Sequence, residues 1–524
     1  MQSEPTWAAV RRTVWALFLA AAALAAPARA EPPVPPPVPP AGDPALEAMV
    51  RDPAGGWSDL LPFYGARGFR PAWLDGGGLG ARGCVLRDRL AAAAGEGLDP
   101  PTTASPPLPK ALRPRPGGPP AGELLLSRAL RRFGRDMGAA DALTAARGAA
   151  DLAAFLDRLA PADPAYADLR AALARYRAVA AGGEWPTLPD GPLLRPGAAD
   201  ARLPALRRRL AATGDLPATV DPAGGVYAPG LAAAVRRFQG RHGLAADGIV
   251  GPATRAALNL PAARRVAILA DNLRRLRGHL RRVAPTAVVV NVAAADLRVM
   301  VDGVQVLRSR VIVGREDWAT PLFQGAITAL EFHPAWYVPP RIVRLEMLQQ
   351  IRRDPDYLAR HNLQVIDGWG DTARIIDPAT IDWRAGRAGT LRLRQPPGPR
   401  NPLGRVKFLF ENPHQVYLHD TPRTDLFDQA KRMLSHGCVR VELAAELATV
   451  LLAPDPAWPP QAVAAALESG QTRYVRLARP MPLYLISLTA WAEPDGTVHF
   501  RPHGGDQVEC SGAPEGPLPA KGSG

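Results

Sequence analysis

Residues able to carry nucleophilic chemistry stand close together in the last third of the chain: His419, the run Ser435-His436-Gly437-Cys438, and Arg440. A thiol is a strong nucleophile once a base or a positive environment makes it a thiolate. Cys438 has His436 two residues before it and His419 nineteen before it. Val416 and Leu418 alternate with Tyr417 and His419, which predicts a strand ending at His419. Gly437 lets a backbone approach a substrate closely. Leu443, Leu447, Val450 and Leu451 recur at helical spacing. Cys438 is therefore expected on a tight connection just before a helix start, where N–H groups favour an oxyanion and a thiolate. Two other readings stay open on residue chemistry alone. Cysteine is often a small buried hydrophobe, although His-Gly-Cys beside Ser435 and Arg440 is a poor core segment. A zinc ion could take Cys438 with two histidines, although no paired cysteines and no His-Glu-x-x-His spacing support it.

The elements that must position these residues form a β-rich domain over 284–502. Residues 286–292, 297–301 and 304–313 are strand-like, and Asp302-Gly303 between the last two is a hairpin signal. An arginine-rich stretch of helical pattern, about 341–395, interrupts the domain. Strand character resumes at 406–410 and again at 484–488. Upstream, Val266, Leu269, Leu273, Leu276 and Leu280 make one apolar stripe and predict a connecting helix over 263–283. Arg264, Arg265, Arg274, Arg275, Arg277 and Arg281 fall off that stripe and read as a solvated face. Residues 201–262 read as a compact unit of short helices. Leu231, Val235 and Phe238 share a face, Gly243 ends their helix, Asp247-Gly248 turns, and Gly251-Pro252 opens the next helix. Residues 44–200 read as a helical scaffold broken by proline-rich loops, with Phe63, Tyr64, Phe69 and Trp73 in its core.

Composition narrows the function. The chain has 524 residues, more than one ordinary domain, and its 47% of hydrophobic residues rule out wholesale disorder. Lys and Arg number 63 against 49 Asp and Glu, a net charge of +14 that points to a polyanionic partner. Three cysteines exclude a disulfide-dense scaffold and a four-cysteine zinc site. Arg11 and Arg12, an apolar run over 13–26 and Ala28-Arg29-Ala30 read as a secretory signal over 1–30. Export to the periplasm or cell envelope removes nucleic acid as partner and leaves cell wall and lipid headgroups. Membrane contact is then expected only through an uncleaved signal segment. Residues 31–43 are a proline-rich spacer, and 503–524 read as a disordered tail. Pairing of Cys84 with Cys510 in an oxidising compartment stays open. No Ser-x-x-Lys and no Gly-x-Ser-x-Gly occurs, which argues against penicillin-binding D,D-peptidases and serine esterases.

The string Ser435-His-Gly-Cys-Val-Arg440, preceded by His419, resembles the signature of L,D-transpeptidases with a YkuD-type catalytic domain. The fuller pattern is similar to their YcbB-like subgroup: Gly398-Pro-Arg-Asn-Pro-Leu-Gly-Arg-Val-Lys-Phe408, Val416-Tyr-Leu-His-Asp-Thr-Pro422, Leu426-Phe427 and Arg432. Val235 to Leu244 and Asp247 to Thr254 resemble a three-helix peptidoglycan-binding domain. The resemblance implies a multidomain α+β protein: helical scaffold, peptidoglycan-binding module, and a mixed β-sandwich catalytic domain with a helical capping insertion. It implies Cys438 as nucleophile, His419 as general base and Ser435 as the group orienting His419, with His436 and Gly437 forming the site's backbone. Tyr417 and Trp336 should line the substrate groove. Arg440 should meet a stem-peptide carboxylate or form a structural ion pair. The implied reaction attacks the diaminopimelate–D-alanine bond of a tetrapeptide stem, forms a thioester, and passes it to the amine of a second diaminopimelate. The alternatives are a hydrolase on the same acyl-enzyme and a non-catalytic wall-binding protein. No metal or organic cofactor is implied, carbapenem-type β-lactams are the expected inhibitors, and the chain is expected to be a monomer.

Overall fold

The computed structural model describes residues 42–501 apart from 76–77, 99–120, 218–224, 355, 369 and 385–390. The signal segment, nearly all of the proline-rich spacer, the tail and Cys510 lie outside the described residues. Cys84 and Cys438 are free thiols. The chain divides into two compact units, 1–71 and 72–524. In the first, helix α1 (Pro44–Arg51) starts at Asp43, whose carboxylate accepts from the Ala45 and Leu46 amides. Phe63, Tyr64 and Phe69 are buried there, as their reading as core aromatics expects.

The second unit holds the helices described next and the main β-sheet. Helix α2 (Pro164–Ala181) is capped by Asp163. Three short helices follow: α3 (Leu203–Ala211), α4 (Pro229–Arg241) and α5 (Pro252–Asn259). They close around Leu206, Leu210, Leu231, Val235, Phe238 and Leu258. The connecting helix α6 (Ala262–Leu280) packs its stripe of Leu269, Leu273 and Leu276 against Tyr166, Leu169 and Leu173 of α2. Two of its off-stripe arginines do not solvate a face. Arg277 is buried and donates to the Glu96 carbonyl and the Tyr166 hydroxyl. Arg265 is buried with its guanidinium 4.3 Å from the Phe500 ring centre. Long side chains reach carbonyls and rings brought near by other parts of the chain, and periodicity within one helix does not report those neighbours.

The β-rich domain is built on a nine-stranded sheet: β1 (Ala287–Asn291), β2 (Asp296–Val301), β3 (Val304–Gly314), β4 (Phe323–Phe332), and, after the insertion, five more. The insertion brings its own strands, β5 (Trp336–Tyr337), β6 (Gln364–Asp367), β7 (Arg374–Ile376) and β8 (Arg392–Gln395). The main sheet then continues with β9 (Val406–Leu409), β10 (Leu418–His419), β11 (Met433–Ser435), β12 (Val439–Val441) and β13 (Arg473–Ile486). Its order is β11-β3-β12-β10-β9-β4-β13-β1-β2, and β2 also pairs with β3, so the sheet folds back on itself. Parallel and antiparallel pairs are mixed. The turn from β2 to β3 takes positive φ at both Asp302 and Gly303, the backbone a two-residue hairpin needs. Helices α7 (Ala444–Leu452) and α8 (Pro460–Glu468) cover a core of Val311, Leu330, Phe332, Phe408, Leu418 and Leu483.

The insertion differs from its sequence reading in two ways. It begins earlier, because Trp336 and Tyr337 pair with Gln395 and Arg394. It is also not purely helical: beside the helical segment 340–353 it holds a four-stranded sheet of order β5-β8-β6-β7. Its strands are two to four residues long, too short for period-2 patterning to show against the arginine background. The insertion has its own core of Ile342, Val343, Ile351, Leu358, Val365 and Leu393.

Candidate active site

Strands β10 and β12 run parallel, with Leu418 opposite Val439 and His419 opposite Arg440. The Val439 amide donates to the Tyr417 carbonyl at 3.1 Å. This register sets Tyr417 beside Cys438 and His419 beside Arg440. Leu418 and Val439 turn into the core, and the other four residues face a cleft of about 420 Å³. Cys438, His419, Ser435, His436, Gly437, Arg440, Tyr417 and Trp336 all line this one cleft. Trp336 is contributed by the insertion.

Cys438 does not precede a helix. Strand β12 separates it from α7, which starts at Ala444, so no helix terminus polarises the sulfur. The apolar helical spacing after residue 443 is real, but three β residues intervene. Burial pushes the Cys438 thiol up from its ordinary range. The Tyr417 N–H and hydroxyl and the charges of Lys407 and Arg440 work against that rise. The turn before the sulfur is tight, with Gly437 at φ +107°. Its carbonyl accepts from the Thr320 hydroxyl at 2.8 Å.

His419 is 4% exposed. Burial first, then the Arg440 and Lys407 charges, bring its ring down to about 3. Its Nδ1 lies 2.5 Å from the Asp420 carbonyl oxygen. A carbonyl can only accept, so Nδ1 carries the proton and Nε2 keeps its lone pair. The ring is therefore neutral at neutral pH and is held as a base by a main-chain oxygen.

Ser435 does not take the orienting role that the family resemblance implies. Its hydroxyl donates to the Cys438 carbonyl at 2.6 Å and accepts from the Gly437 amide at 3.1 Å. It ties the turn before Cys438 together, and the Asp420 carbonyl orients His419. His436 faces the insertion, with Nε2 2.7 Å from Glu346 Oε1 and Trp318 edge-on at 4.8 Å. Arg440 has no ion-pair partner among the described residues, and its Nε is buried without a hydrogen bond. Of its two readings, the structural ion pair is absent.

Several further residues stand at or beside the cleft. Trp318 and Arg341 line it, the guanidinium 3.9 Å from the ring centre. Lys407 sits across from His419, its Nζ 4.4 Å from the Tyr417 ring centre and 3.7 Å from Glu331. A lysine in a chain whose cations are nearly all arginine was the available signal. The Asp420 carbonyl had none, because a main-chain acceptor is independent of residue type.

With this geometry in view, the relatives fall into place. Residues 285–459 match the family profile described as "L,D-transpeptidase catalytic domain", the YkuD family. Residues 200–258 match the "Putative peptidoglycan binding domain", and 58–142 match the "Scaffold domain". Three successive stretches of the chain thus match a scaffold domain, a peptidoglycan-binding domain and the YkuD-type L,D-transpeptidase catalytic domain. A protein of Haemophilus influenzae named "Putative L,D-transpeptidase" is 34% identical over 236 residues, 44% of this chain and 46% of that protein. The match thus spans about half of that relative's length. Among solved structures, an L,D-transpeptidase from Stackebrandtia nassauensis is 16% identical, covers 58% of this chain and 97% of its own, and has a TM-score of 0.21. L,D-transpeptidase 3 from Mycobacterium tuberculosis, in complex with a faropenem-derived adduct, is 10% identical over 39% of this chain and 60% of its own, with a TM-score of 0.18.

Proposed function

We propose that the chain is a peptidoglycan L,D-transpeptidase of the cell envelope. The observation that carries this is the presence of a half-buried thiol and a neutral imidazole in one cleft, inside a stretch that matches the YkuD profile. His419 Nε2 takes the Cys438 proton as the sulfur attacks the carbonyl of the L-centre of diaminopimelate. The ring then gives that proton to the departing D-alanine amine. Because His419 is neutral and the thiol is raised, the resting pair is uncharged, and the thiolate forms during attack. The resulting thioester is resolved by the side-chain amine of a second diaminopimelate: the amide bond forms as the carbon–sulfur bond breaks, and His419 passes the amine's proton to the departing Cys438 sulfur. Arg440 stands uncompensated in the cleft and receives a stem carboxylate. Tyr417 and Trp336 flank the stem, and the insertion limits water over the site. The peptidoglycan-binding domain keeps the enzyme on a surface dense in acceptor stems. β-Lactams of the carbapenem type acylate the same sulfur.

The test is incubation of the purified chain with disaccharide-tetrapeptide and identification of products by mass. Cross-linked dimer with release of D-alanine is expected. Tripeptide alone, at excess acceptor, would make the enzyme a hydrolase.

A further inference from the structure

The insertion touches the nucleophile's turn through one polar cluster. Glu346, in the segment Val343–Met347, places Oε1 2.7 Å from His436 Nε2 and 2.8 Å from Arg315 Nη2. Arg315 Nη1 is itself 3.0 Å from the same His436 Nε2. One ring nitrogen cannot serve both neighbours. Glu346 can only accept, so its bond needs a proton on Nε2. Arg315 can only donate, so its bond needs a lone pair there. With Glu346 in place the ring carries Nε2–H, and Arg315 turns its other amine to the carboxylate. With Glu346 withdrawn, Arg315 is left to draw the ring into the opposite tautomer.

The ring at stake belongs to the residue between Ser435 and Gly437. Thr320 and Ser435 hold the Gly437 and Cys438 main chain. Glu346 is the insertion's hold on the same turn. His436, Arg315 and Glu346 side chains keep 26%, 34% and 38% of their exposure, so the cluster adds little as an ion pair. Its effect is on geometry. The insertion has a core of its own, so it can dock or lift as a body.

We propose that Glu346 is a positioning residue: by fixing the His436 ring, the docked insertion sets the shape of the Gly437–Cys438 turn, and acylation depends on that docking. This rests on Cys438 being the acylated nucleophile. The experiment uses the purified full chain and a carbapenem as probe. Acylation is followed by intact mass, and limiting rate and half-saturation are read separately. Glu346→Ala should lower the limiting rate about tenfold, the size of one lost hydrogen bond, with half-saturation changed less than about threefold. Glu346→Gln, which keeps an acceptor for Nε2–H, should recover to within about threefold of the parent. Glu346→Ala combined with His436→Ala should be no slower than His436→Ala alone. Melting curves confirm that each variant is folded. A wild-type limiting rate in folded Glu346→Ala would overturn the proposal, and so would full additivity with His436→Ala. No adduct on the parent chain would instead remove the reading of Cys438 itself.

Discussion

At the scale of single residues, the site separates two histidines that look alike in sequence. His419 is buried, neutral and oriented by a carbonyl, while His436 is half-exposed and engaged with Glu346. His419→Ala is expected to slow Cys438 acylation by about 10²- to 10⁴-fold, the usual weight of general-base help. His436→Ala should cost less, because it acts through the shape of the turn. Intact-mass kinetics with a carbapenem ranks them, and the opposite order would reverse the assignment. Cys438→Ala should show no adduct while keeping its melting point within the range of other conservative changes. Arg440→Gln should raise half-saturation for the tetrapeptide by about 10- to 100-fold, as expected for losing a charge-assisted contact, and change the limiting rate less. Equal loss in both parameters would place Arg440 in the chemical step.

Among the elements, the parallel pairing of β10 with β12 does most of the assembly. It takes residues twenty-one apart and sets them side by side, with Tyr417, Cys438, His419 and Arg440 facing one cleft. A one-residue slip of β10 against β12 would turn His419 into the core and bring Leu418 to the cleft face. The insertion is the other decisive element, since it supplies Trp336, Arg341 and Glu346 from outside the main sheet. Acylation of Cys438 is expected to slow hydrogen exchange in the segment 340–353 and in the Trp336–Tyr337 strand. Unchanged exchange there would leave the insertion a fixed wall of the cleft.

Taken whole, the molecule uses part of its positive charge as structure. Arg241 and Asp215 form a pair that is nearly fully buried, and Arg241 also donates to the Val498 carbonyl. Arg209 stacks 3.6 Å from the Trp185 ring centre, and burial lowers its guanidinium to about 10. Asp215→Asn would leave Arg241 uncompensated beside Arg209 and Arg265, and should cost about 3–5 kcal/mol in denaturant unfolding. Replacing Arg241 as well, with methionine, should restore much of that loss. These contacts, with the Arg241 bond to the Tyr176 hydroxyl of α2 at 3.4 Å, join the 200–258 stretch to α2 and to the 498–500 strand, so deleting 200–258 is expected to depress carbapenem acylation as well as wall cross-linking. Stability should also fall with acid in a defined window. His419 and His499 are held down to about 3 and about 4, and His242 well below its ordinary value, chiefly by burial. Each contributes fully above its unfolded value of about 6.5 and loses that contribution as pH falls toward the folded value. Melting temperatures should therefore hold near pH 7 and decline from about pH 6.5 toward 4. His499→Gln should make that slope shallower.

What the sequence determined was chemistry that depends on residue type and local period. The thiol, the histidine at a strand end, the hairpin at Asp302-Gly303 and the stripe of α6 are local facts, and each is found where the sequence puts it. The glycine before Cys438 likewise announced a turn. Tertiary structure decided the partners. Nothing local shows that His419 rests on the Asp420 carbonyl rather than on Ser435, because an amide oxygen is the same in every residue. Nothing local shows that Arg265 and Arg277 are buried, since an arginine off the stripe meets solvent unless another element arrives. The helix after Cys438 was legible, but the strand before it was not, since three residues give period-2 patterning too little length. Glu346 joins the site across ninety residues of chain, a distance that only the folding of the insertion onto the catalytic turn removes.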